Sequence, residues 1–120
     1  MEQGINQPKK FDLEDRTLRF AQDVRIFIRK LPRSIINEED GRQLVRASGS
    51  VGANYLEAND ALGKKDFAMR IRISRKEAKE SRYWLNLFAN LETELEKERD
   101  VLVEESVELI KILSAILKKV

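Results

Sequence analysis

The sequence predicts an all-α protein, an antiparallel up-down-up-down four-helix bundle. Three observations carry that prediction. Apolar residues recur at alternating spacings of three and four in separate stretches along the chain. No stretch alternates with the period of two that a half-buried strand requires. The links between the periodic stretches are short, which favours antiparallel neighbours. A length of 120 residues fits one domain. We place that domain at residues 11–120, behind a polar, flexible leader at 1–10.

The first helix is expected to start near Asp12, with Asp12, Glu14 and Asp15 complementing the positive end of its dipole. Its apolar seam is Leu13, Thr17, Phe20, Val24, Ile28 and Leu31, and Pro32 stops it. The second is expected to be capped by Asn37, with Glu38, Glu39 and Asp40 in its first turn. It runs to a break at Gly63 along the seam Leu44, Ser48, Val51, Tyr55, Ala58 and Leu62. Within it, Gly49 and Gly52 each cost about 1 kcal/mol relative to alanine, which points to close approach of another backbone.

The third helix is predicted from Asp66 to Leu91. It carries the seam Phe67, Ile71, Ser74, Ala78, Ser81, Leu85 and Phe88. Small residues Ser74, Ala78 and Ser81 facing Ser48, Val51 and Ala58 would let the second and third helices pack closely. The fourth is expected from about Asp100, with the seam Leu102, Ser106, Leu109, Leu113, Ile116 and Val120. Lys118 and Lys119 suit its negative end. Heptad-like spacing implies shallow crossing angles of about 20°.

Composition excludes several chemistries. Cysteine is absent, so there is no disulfide framework or thiolate metal site. Histidine is absent too, which removes the commonest general base and zinc ligand. The Glu-x-x-His motifs of di-metal bundles therefore cannot form. Ser48-Gly49-Ser50 lies inside a helical pattern and is not a phosphate loop. We expect no catalytic residues, no cofactor and no metal. Asn54, Glu57, Glu77 and Glu80 read as a polar cluster between helices. No apolar run approaches the ~20 residues of a membrane span, and the N-terminus has no signal-peptide core. A cytoplasmic location is the expectation.

Two features of the third helix are left over once its seam is buried. One is cationic: Arg72, Arg75, Lys76, Lys79 and Arg82 crowd a single side, with Tyr83 among them. Arg42 and Arg46 on the second helix, and Lys64 and Lys65 in the link, could extend it. Such a row can meet successive phosphates of RNA or DNA and release counterions. Ordinary solubilisation, with Glu77 and Glu80 interleaved, is the simpler account of the same charges. The charge asymmetry agrees with either. Residues 1–90 hold 18 Lys/Arg against 13 Asp/Glu, and residues 91–120 hold 5 against 8. The acidic tract ETELEKERD reads as a solvated helix junction.

The other feature is a second apolar line, Ile73, Trp84, Leu87 and Leu91. Left exposed it would be a large apolar patch, which marks an interface between copies of the chain. The alternative is a core that wraps further round the helix.

The segments QLVRASGSVGANYLEA and KKDFAMRIRISRKEAKESRYWLNL carry a family resemblance, joined by DLEDRTLRFAQDV and LPRS. They resemble bacterial four-helix-bundle proteins called 23S rRNA intervening-sequence proteins. Gln43, Leu44, Arg46, Ser50, Val51, Asn54 and Glu57 match that family's second-helix pattern, with Ala47 where serine is common. Asp66, Phe67, Ile73, Lys76, Glu77, Glu80, Tyr83, Trp84 and Leu85 match its third. The resemblance covers nearly everything but the leader. It implies a bundle that assembles into ring-like homopentamers, with no catalytic assignment for the shared carboxylates. A related accessory protein of diversity-generating retroelements is a basic pentamer that contacts nucleic acid and a reverse transcriptase. By that analogy the expected function is non-enzymatic binding of RNA or DNA by a homo-oligomer. The alternative is a scaffold that binds another protein. No membrane partner is expected.

Overall fold

A computed structural model describes residues 9–120, with side chains from Leu13 onward. The first eight residues of the expected leader lie outside the described residues. Four helices follow in order: α1 (Lys9–Arg29), α2 (Ile35–Asn59), α3 (Lys64–Leu87) and α4 (Thr93–Lys118). No strand occurs among the described residues. Each helix packs on two others, in the cyclic order α1–α2–α3–α4 and back to α1, and the backbones of the diagonal pairs stay apart.

Contacts between neighbours run in opposite directions, which makes every adjacent pair antiparallel. Asn59 of α2 reaches Glu14 near the start of α1, while Gly41 at the other end of α2 lies against Ile28. Arg46 reaches Glu77 and Glu80, whereas Asn54, later in α2, reaches Arg70, earlier in α3. Arg16 pairs with Glu105, and Lys30 with Glu98, which closes α1 on α4. The up-down-up-down order is therefore visible in the side chains.

Most of the predicted seams form the core. Leu13, Phe20, Val24, Leu44, Val51, Tyr55, Ile71, Ala78, Leu85, Phe88, Leu102, Leu109 and Leu113 are all buried. On α1 the seam steps from Val24 to Phe27, not Ile28. Phe27 is buried and meets Phe88 edge-on at 5.6 Å, while Ile28 packs at the margin. Buried hydroxyls are satisfied locally: Thr17, Ser48, Ser81 and Ser106 donate to carbonyls three or four residues back. Ser74 instead donates across the helix gap to the Val51 carbonyl at 2.7 Å. The expected close packing of α2 on α3 is present, and it is the most extensive contact in the bundle.

The glycines of α2 differ. A Cβ built on Gly52 would stand 2.9 Å from Thr17 Oγ1, so α1 does approach closely there. At Gly49 the nearest atom to such a Cβ is the end of Arg25, at 3.5 Å, which is ordinary contact.

Helix ends depart most from expectation. Helix α1 begins at Lys9, ahead of Asp12. Helix α2 is capped by Ser34, whose Oγ accepts the Asn37 N–H at 3.0 Å, and not by Asn37 itself. The Asn37 side chain instead donates to the Pro32 carbonyl. Helix α2 ends at Asn59, so Leu62 lies beyond it and is fully exposed. Helix α3 ends at Leu87, short of Leu91, and Asn90 takes φ 56° in the turn that follows. Asparagine tolerates this left-handed geometry better than most residues. Helix α4 starts at Thr93, so the acidic tract is its first two turns and not a junction. It brings Leu95 into the core and leaves Val120 exposed. Arg99, from the same tract, donates to the Phe88 carbonyl at 2.6 Å and neutralises the negative end of α3.

Candidate nucleic-acid interface

Helix α3 turns its seam inward and, by the helical repeat, its cations away from the core. Arg72, Arg75, Lys76 and Lys79 line one shallow depression of about 520 Å³, together with Glu80, Tyr83 and Trp84. Arg72, Lys76, Lys79 and Arg82 are exposed. Arg72, Lys79 and Arg82 have no ion pair or side-chain hydrogen bond among the described residues. Arg75 is held by Ser114 Oγ on α4 at 3.2 Å, and Lys76 sits 3.9 Å from Glu80 one turn on. Three cations of the face are thus left without a protein counter-ion among the described residues.

The two α2 arginines do not extend it. Arg46 points into the α2–α3 gap, where one nitrogen lies 3.2 Å from both Glu77 Oε1 and Glu80 Oε1. Glu77 is nearly buried, so Arg46 is its counter-ion rather than a free cation. Arg42 lines a separate depression with Arg29 and Arg33 at the α1–α2 corner. Lys64 and Lys65 open α3 and line a third, beside Leu117 and Val120. Arg72 is shared between that depression and the α3 face, so these lysines do adjoin it.

The expected polar cluster is divided in two. Glu77 and Glu80 share Arg46, while Asn54 binds Arg70 through its oxygen and the Ser50 carbonyl through its nitrogen. Glu57 is exposed and joins neither. Among the described residues, no group of three or more carboxylates is placed to hold a metal ion.

The second apolar line is also divided. Trp84 and Leu91 pack sideways on the core, Ile73 is half-buried, and Leu87 is exposed. Part of the line is therefore accounted for within one chain.

The four-helix fold has counterparts in known proteins. Residues 9–115 match the 23S rRNA-intervening sequence protein family. The chain belongs to that family. A crystal structure from Bacteroides thetaiotaomicron, described as a protein of unknown function from the S23 ribosomal protein family, is similar at 29% identity. It superposes with a TM-score of 0.77 over 92% of this chain and 99% of that one. No curated protein matches the chain. No helix among the described residues is long and apolar enough to cross a membrane.

Some exposed apolar residues of this family member escape the periodic pattern. Leu18 and Leu56 stand exposed on either side of a groove floored by Gly49 and Gly52. Ile35 and Ile36 are exposed at the start of α2. A signal for Leu18 does exist in the sequence, since it falls off the seam of α1, about 100° round the helix from Thr17.

Proposed function

We propose that this 23S rRNA-intervening sequence protein family member is a non-enzymatic, cytoplasmic homo-oligomer that binds RNA or DNA through the outer face of α3. The observation that supports this is the lack of counter-ions among the described residues at Arg72, Lys79 and Arg82, on a helix whose α2 side pairs its charges. Several exposed cations gathered on one face favour a polyanion. A closed ring, with five copies as the family resemblance implies, would repeat the face and supply affinity by avidity. The exposed Leu87 is the contact we assign to self-association.

The test is binding of a structured RNA and a DNA duplex at low salt, followed through a salt titration. Affinity should fall steeply as salt rises, and the Arg72→Glu, Lys79→Glu double variant should lose it. A folded protein that binds no nucleic acid at low salt would end this reading. The second reading, a protein-interaction scaffold, draws on the exposed Leu18 and Leu56. Under it, charge reversal at Lys76 and Lys79 would change the mass of the assembly rather than the retention of nucleic acid.

A further inference from the structure

The α3 face contains an aromatic ring that phosphate binding alone does not use. Tyr83 is 59% exposed, and its hydroxyl has no hydrogen-bond partner among the described residues. The ring is not loose, however. It meets Trp84 at a centroid distance of 5.2 Å and an interplanar angle of 78°, and Trp84 itself packs on the core. That T-shaped contact holds Tyr83 in a set orientation and leaves much of it open to solvent.

We infer that this face takes single-stranded nucleic acid, with Tyr83 as the platform on which a base stacks. The inference rests on the nucleic-acid reading above and names the form of the ligand. Tyr83 follows Lys79 by one turn, Lys76 by two and Arg72 by three, so all four share one line along the helix. Their rises from Tyr83 are about 6, 10 and 16 Å. A strand lying along α3 would set its phosphates against these cations and turn an unstacked base onto the ring. Proteins that hold single strands combine these two elements, a cationic track and an aromatic platform. A duplex would use only the cations, because its base faces are covered by their neighbours. The depression lined by Tyr83, Trp84 and the cations, about 520 Å³, falls in the size range of small-ligand sites.

The experiment compares four probes at one low salt concentration: oligouridylate, oligodeoxyuridylate, an abasic phosphodiester oligomer of equal length, and a duplex. Trp84 is the chain's one tryptophan, so its fluorescence reports occupancy directly. At least one base-bearing strand should bind about tenfold tighter than the abasic oligomer, and which one does separates an RNA ligand from a DNA ligand. Tyr83→Leu should reduce that strand to the abasic level, and Tyr83→Phe should restore it. If the abasic oligomer or the duplex binds as tightly as the strands, or Tyr83→Leu changes nothing, stacking is refuted while the polyanion face stands. If no probe binds, both readings fall together.

Discussion

Along its α2 side, α3 matches its polar groups to partners, with Glu77 and Glu80 on Arg46, Arg70 on Asn54 and Ser74 on the Val51 carbonyl. Along its outer side, Arg72, Lys79 and Arg82 make no ion pair or side-chain hydrogen bond among the described residues. The difference follows from solvent. A charge within the bundle is costly unless paired, whereas a charge in water costs little and is free to engage another molecule. One helix therefore has a side whose substitution should disturb folding and a side whose substitution should disturb binding.

The strongest challenge to that division uses adjacent residues. Ile71→Ala removes a fully buried side chain and should destabilise by about 2–5 kcal/mol in a urea melt. Arg72→Ala, one position on, should change stability by less than about 0.5 kcal/mol while weakening nucleic-acid binding. Equal effects of the two on stability would erase the distinction.

A smaller contrast lies on α2. Gly52→Ala pushes a methyl into Thr17, which is stiff, buried and bonded to Glu14, and should cost about 1–3 kcal/mol. Gly49→Ala meets only the flexible end of Arg25 and should gain up to about 1 kcal/mol from helix propensity. Thermal midpoints moving in opposite directions would sharpen the comparison, and midpoints moving together would contradict it.

The smallest concerns the paired charge. Arg46→Ala leaves the Glu77 carboxylate without its counter-ion and should cost about 1–2 kcal/mol. Lys79→Ala should fall within about 0.5 kcal/mol of the parent. Urea midpoints for the two variants decide it.

How far the sequence reveals this arrangement depends on what each feature needs. Seams are local periodicities, so Leu44, Val51, Ile71, Leu85 and Leu109 are legible as core from their spacing alone. Phe27 is not, because steps of three and four from Val24 are equally helical, and only the packing of Phe27 on Phe88 decides between them. Helix ends depend on single dihedral angles. Ser34 and Asn37 are both good caps, and the Asn37 side chain is drawn to Pro32. No glycine or proline marks the end of α3, where Asn90 supplies the left-handed residue. At the candidate site, the cations of α3 are legible as one face because they share one helix. The diversion of Arg46 is hidden, since its partners lie 31 and 34 residues away.

The bundle is thinnest where its first and last helices meet. Contacts of α2 and α3 with their neighbours span short hairpins, whereas α1 and α4 must meet from opposite ends of the chain, and they share the least contact of any adjacent pair. Topologies dominated by near-neighbour contacts fold quickly. Here the ring of helices would be completed by its weakest seam, guarded in part by the Arg16–Glu105 and Lys30–Glu98 pairs. Helix α1, with the least packing on its neighbours, should be the first to detach in native-state fluctuations, and its amides should exchange with deuterium ahead of those in α2 and α3.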